Sequence, residues 1–584
     1  MWKYCKGATL LGALLFIAGC GQSAPPPAKA KEPSAASQTW IKLSNAFIED
    51  YMLAQPAFAV QAGRHEFDGQ LPDLSAHGIK REIARLHDQH DQLSAIDPAG
   101  LEPRERFDRE YLLAVVDKDL FWIEKTQFPF SNPAWYLGQI DPDVYLSRNY
   151  APLDKRMKAY IKYAQAIPRV AASIKENLKS PMPKTYVELG IDEFGGLAEF
   201  YSKNVEAVFA PVSDPDLQKQ LKDADTVAAQ AMTGLKDYLM GERKKANDKY
   251  AFGADLFAQM VKQTEQVDLP LDQIEAAGKA DLDSNTAALK TECATYAAKA
   301  SLAQCVAKMQ AHKPSGGALE QARDQLKMLK DFIVKNNVVS IPTKDEALVA
   351  EAPPYNRANA AFINTAGPYD KGVVSVYNIA PPDPKWSKAE QAAYIPGEAA
   401  LLFTSVHEVW PGHFLQFLHS NANPDKLEGL WVGYAFAEGW AHYCEEMMVD
   451  EGLAKGDPER HIGQLSEALL RDVRLLSAIG LHTHGMTVAQ SEKMFREQAF
   501  QDPGNARQQA ARGTYDPAYL NYTLGKLMIR KLRTDWLAKT APPGAAPAAD
   551  DHSRWHEFHD KFLSYGGPPI PLLRKEMVGG GSLL

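Results

Sequence analysis

His407 to Gln416 reads HEVWPGHFLQ, and a little further on Ala437 to Glu446 reads AEGWAHYCEE. Two imidazoles, a carboxylate beside the first and a later carboxylate in a helical pattern are the parts of a hydrolytic zinc site. A catalytic zinc takes three protein ligands and keeps a fourth position for water. Histidine ligands four residues apart on a helix lie about 40° apart around its axis. The spacing from His407 to His413 is longer, and on a regular helix it separates the rings by roughly 120°. Pro411 lacks the N–H that would bond to the His407 carbonyl, and Gly412 accepts conformations closed to other residues. The sequence therefore predicts a two-residue bulge that returns His413 to the usual place, making His407 and His413 ligands and Glu408 the general base.

Taken alone, HEVWPGH also reads as a capped helix end with solvated histidines. The second string shifts the balance. Glu438 opens a stretch in which Trp440, Tyr443, Cys444 and Met447 mark an apolar face. A carboxylate there is costly without a partner, and a metal is one such partner. His442, Glu445 and Glu446 compete for that place, and rank as outer support or surface.

The two strings together resemble the gluzincin metallopeptidases, whose third ligand is a glutamate in a segment like AEGWAHY. More closely, they resemble a bacterial family called domain of unknown function 885, with its H-E-x-x-P-G-H-x-x-Q and E-G-W-A-x-Y signatures. Arg471–Thr487, Tyr519–Arg533 and Phe558–Met577 extend the similarity, which runs from about residue 40 to the end. Relatives usually carry an aspartate near position 478, where this chain has Ala478. The resemblance implies a mainly α, large helical zincin fold with a small antiparallel β element beside the site. It also implies a Zn2+ ion held by His407, His413 and Glu438, and a peptide as substrate.

Attack on a carbonyl needs donors aimed at the developing oxyanion. GLHTHGMT supplies His482 and His484, and GTYDPAYLNYTLG supplies Tyr515, Tyr519 and Tyr522. The family pattern points to His482 and Tyr522. Arg474 is left open between binding a substrate carboxylate and pairing with a neighbouring acid.

Before the zinc motif, AAFIN and VVSVYNI read as strands from their β-branched and aromatic residues, with TAGPYDKG as the turn between them. Gluzincins hold the substrate backbone on an edge strand. The resemblance gives that task to Val373–Ile379, with Val374 and Val376 as contacts. A hairpin used only for packing is the plainer alternative. Elsewhere helical periodicity dominates. Ile83, Leu86, Leu93 and Ile96 form one stripe, and Leu326, Leu329 and Ile333 another, with Asn336 and Asn337 near the stop. Phe128–Ile140 is aromatic and reads as core.

Lys3 and Lys6 precede the apolar run ATLLGALLFIAG, too short to span a membrane and suited to a signal peptide. Ile17-Ala18-Gly19-Cys20 resembles the bacterial lipobox, so Cys20 is the expected lipidated residue. Gly21 in the next position favours the outer membrane, facing the periplasm. Residues 1–19 are then the signal peptide and 20–39 a flexible tether. Residues 40–345 form a helical N-terminal part and 346–584 the zinc-site part, expected to be continuous with it. In an oxidising compartment Cys293 and Cys305 are able to pair. The chain has 584 residues, 45% hydrophobic and 23% charged, enough to bury a large core. A net charge of −9 argues against a nucleic-acid surface. The sequence thus points to zinc-dependent hydrolysis of peptides at the cell envelope. A zinc-containing binding lipoprotein without activity and a hydrolase of cell-wall amides are the alternatives.

Overall fold

Ser34 accepts a hydrogen bond from the Ser37 amide and starts the first helix, Ala35–Ala54. Helix therefore begins inside the stretch read as tether. The computed structural model describes residues 34–353, 357, 360–384, 386–542 and 552–584, so the signal sequence and Cys20 lie outside the described residues.

The helical stripes pack as their periodicity requires. Ala76–Ser94 is capped by Ser75 and buries Leu86 and Leu93. Ala318–Asn336 buries Leu326, Leu329 and Ile333 and stops at Asn337 in the left-handed region (φ 50°). The Phe128–Ile140 aromatics are core: Phe128, Tyr136 and Ile140 are buried. Buried apolar side chains form one continuous cluster running from Trp40 to Met577. Leu153–Asn177, Lys184–Lys203 and Pro215–Glu242 pack on one another in the first half. Leu271–Tyr296 crosses from that half onto Pro458–Thr483. Cys293 and Cys305 form a disulfide joining the end of that helix to Leu302–Ala311. No described helix is long and apolar enough to cross a membrane.

Two helices of the second half meet backbone to backbone. A Cβ on Gly439 would lie 2.6 Å from the Gly525 Cα, and one on Gly525 would lie 2.2 Å from the Ala435 carbonyl oxygen. This approach brings Tyr434–Asp450 against Asn521–Lys539 and sets Glu438 and Tyr522 on the same side of the crossing. The first half steadies the same corner. Glu265 is buried and accepts from the Ala435 amide (3.2 Å) and the Asn521 side chain (3.1 Å). Burial pushes its carboxyl up to about 7, partly offset by the Ala435 amide and Lys118.

The expected hairpin is present as β2 (Ala361–Asn364) and β3 (Val376–Ile379), antiparallel with Ala361 opposite Ile379. A strand not read from the sequence, β1 (Leu348–Glu351), pairs with β3 in parallel, so the sheet order is β1-β3-β2. This corrects the substrate-strand assignment. Val376 is paired with Leu348 on one side and Asn364 on the other, which leaves β3 no open edge, and Val374 precedes the strand in an exposed position. The sheet edge on the site side belongs to β2. Its Ile363 amide points away from β3 and donates to Glu408 Oε2 at 3.0 Å.

Candidate metal centre

The helix that carries His407 and Glu408, Glu398–Glu408, ends where the sequence breaks, and His413 opens the next, His413–Ala422. Between them the hydrogen-bond ladder skips two residues. The Gly412 amide bonds to the Val406 carbonyl (3.0 Å) and the Leu415 amide to the Val409 carbonyl (3.4 Å). The interruption is sharper than a bulge, since it separates two helices, but it adds the two residues that the spacing demanded. Gly412 is required there, because a Cβ would lie 1.8 Å from the His407 carbonyl oxygen, the acceptor that Pro411 leaves unbonded. The second motif fastens the break: Trp440 Nε1 donates to the Pro411 carbonyl at 2.9 Å, and Cys444 Sγ approaches it at 3.7 Å.

The two imidazoles lie 4.8 Å apart between ring centres and 89° in plane. His407 Nε2 and His413 Nε2 approach the same oxygen, Glu438 Oε2, at 3.2 and 3.3 Å. Ligand atoms of the three residues all fall within 4.8 Å of one another. Behind His407, Glu445 is fully buried. Its Oε1 takes a hydrogen bond from His407 Nδ1 at 2.7 Å, and its Oε2 meets His442 Nδ1 at 3.3 Å. Burial opposes ionisation of Glu445, but Arg471, His442 and His407 outweigh it and hold the carboxyl far below the usual range.

That arrangement fixes a tautomer. An ionised Glu445 requires the His407 proton on Nδ1, so in the neutral ring the Nε2 lone pair faces the Glu438 carboxylate. Burial opposes protonation of His407, but Glu438 and Glu445 outweigh it and raise the ring to about 9, so without a metal Nε2 holds a proton toward Glu438, and a bound cation would take that proton's place. His413 adds a buried Nδ1 with no protein partner. A nitrogen, nitrogen, oxygen donor set with a carboxylate behind one histidine fits a divalent transition metal. Replacing Glu445 by Gln is expected to weaken metal affinity by about 10- to 100-fold. Competition against a chelating dye checks this, and an unchanged affinity would remove Glu445 from the orienting role.

Glu408 is partly buried at the rim, and burial raises its carboxyl above the ordinary value although His407 and His413 pull the other way. Tyr522 belongs to the centre, its ring 6.1 Å from that of His407 and nearly parallel to it. Arg474 lies over the Tyr522 ring at 4.7 Å, and among the described residues no carboxylate pairs with it. His482 is a correction. Its Nε2 bonds to the Gly513 carbonyl (2.8 Å), its Nδ1 accepts from the Phe252 amide (3.3 Å), and Phe252 and Phe257 flank the ring. Burial lowers it to about 4, so it is a neutral core histidine with both nitrogens occupied and none free for an oxyanion. His484 pairs with Glu275 on the surface, and Tyr519 donates to Ser477 in the core. Sequence reading missed Arg471, Arg512 and Tyr434 around Tyr522. The only signal for Arg471 was its place in RDVR on the apolar Pro458–Thr483 helix.

Over residues 56–577 the chain matches the family described as "Bacterial protein of unknown function (DUF885)" and belongs to it. Two solved structures share its fold. One is titled as a "putative lipoprotein of unknown function" from Shewanella oneidensis. It is 23% identical with a TM-score of 0.74, over 92% of this chain and 99% of that one. The other, a "putative lipoprotein" from Colwellia psychrerythraea, is 18% identical with a TM-score of 0.77, over 93% and 99%. Among curated proteins none matches.

Proposed function

We propose that this protein is a gluzincin-like, zinc-dependent peptide hydrolase, anchored by lipid on Cys20 at the bacterial cell envelope, on the periplasmic face of the outer membrane. The observation that carries the hydrolytic reading is the convergence of both histidine Nε2 atoms on Glu438 Oε2 beside a partly buried Glu408. The anchoring reading rests on the lipobox-like residues before Cys20 and on the lipoprotein titles of the two structural neighbours.

His407, His413 and Glu438 would hold a zinc ion, which when bound would supply Lewis acidity and lower the pKa of a water to about 7. Glu408 takes the proton of the attacking water and passes it to the leaving amine. Its carboxylate is steadied for this by the Ile363 amide, which also ties the catalytic helix to β2. The outward edge of β2 lays the substrate backbone beside Glu408. Tyr522 offers a phenol donor to the developing oxyanion. Burial and the nearby Glu438 raise its pKa, so the donor stays protonated.

The test is metal analysis of purified protein followed by mass-spectrometric mapping of products from linear and cell-wall peptides, with and without chelator. One metal per chain and chelator-sensitive cleavage are expected. Products that form equally in chelator, or none from either peptide class, would overturn the reading.

A further inference from the structure

Three arginines surround one tyrosine at the edge of the metal centre. The guanidinium of Arg474 lies 4.7 Å from the Tyr522 ring centre, and those of Arg471 and Arg512 each lie 5.9 Å from it. Two of the three have carboxylate partners. Arg471 pairs with Glu467 and Glu445, and Arg512 with Asp516 at 2.9 Å. Arg474 has none: Nε donates to Gln509 at 2.9 Å, and no described partner takes the Nη donors. Those Nη atoms border accessible space, although the residue is only 7% exposed.

A buried guanidinium near two others is costly unless an anion completes it. Burial and the neighbouring Arg512 lower Arg474 to about 10, in keeping with a cation short of counter-charge. The site is also forked and planar, which suits a carboxylate bound through two N–H groups.

We infer that Arg474, supported by Arg471 and Arg512, receives the free C-terminal carboxylate of a peptide, so that the chain is cut next to its C-terminal end. The inference rests on the hydrolytic reading above. Its reach follows from the spacing. Arg474 lies 4.7 Å from the Tyr522 ring centre, which lies 6.1 Å from that of His407, so the guanidinium is within about 11 Å of the metal-facing ring. A guanidinium–carboxylate approach of about 4 Å leaves roughly 7 Å, the span of at most two extended residues. Hydrolysis then breaks one C–N bond and forms one C–O bond from water. It releases an amino acid or dipeptide bearing the original carboxylate and a new amine.

The test compares a short peptide with its C-terminal amide. Binding is measured by calorimetry on the metal-loaded Glu408→Gln protein, and cleavage by product mapping on the parent. The acid is expected to bind roughly 10- to 100-fold tighter than the amide. Arg474→Gln should erase that preference, and Arg474→Lys should retain part of it. Parent products should be missing one or two C-terminal residues. Equal binding of acid and amide, or internal cleavage of both at equal rates, overturns the carboxylate pocket and leaves the hydrolytic reading standing. Acid preference without any hydrolysis overturns the hydrolytic reading and the cleavage position with it, leaving the pocket as a binding site. The acid–amide comparison on the parent needs no substitution, so a poorly folding variant does not decide the outcome.

Discussion

Glu408→Gln is expected to keep its metal and to lose about a thousandfold in turnover, within the range that general-base catalysis contributes. The side chain lies beside the proposed ligands but is not one of them: its Oε2 accepts from the Ile363 amide, while the clustered donor atoms belong to His407, His413 and Glu438. Glutamine preserves the shape and an oxygen acceptor for Ile363, so the helix and β2 stay joined. What it loses is the ability to take a proton. Burial raises the Glu408 carboxyl above its ordinary value, which makes it a stronger base than an exposed glutamate. Turnover and metal content measured on one preparation separate the two roles. Equal turnover by variant and parent would remove Glu408 from the mechanism.

His413→Ala is expected to abolish both metal retention and turnover while the fold persists. Removing this ring leaves two of the three proposed donors, and alanine suits the first residue of His413–Ala422, so the helix start is expected to survive. Metal analysis should fall from one ion per chain to near none. Zinc at a hundred times its dissociation constant should stabilise the parent by about 2.7 kcal/mol and the variant by nothing, as seen in thermal unfolding. A variant that holds as much metal as the parent would exclude His413 as a ligand and leave His407 and Glu438 without their third partner.

Much of the centre was legible because it depends on local constraints. The interruption at Pro411 and Gly412 follows from a missing N–H and a missing Cβ, both properties of single residues. The helical stripes around Leu86 and Leu329 are equally local. β1 was not legible: Leu348–Glu351 is only four residues long, and it pairs with β3 across about 25 intervening residues while packing on the helix Ala318–Asn336. That one strand closed the β3 edge and left β2 as the open edge on the site side.

The histidine and arginine assignments divide in the same way. Nothing in GLHTHGMT reveals that His482 spends both nitrogens on the backbone of Phe252 and Gly513, which lie far from it in sequence. Likewise RDVR shows two cations but not that Arg512 and Tyr522 arrive from two further helices to surround Arg474. The sequence alone determined the helical class, the two-residue break and the identity of His407, His413 and Glu438 as a donor set, because spacing and backbone chemistry act within a few residues. Tertiary structure decided which donors face one another, which are spent in the core and which cation lacks a counter-charge among the described residues. Those outcomes depend on how helices hundreds of residues apart in the chain close upon one another, as at the Gly439–Gly525 contact.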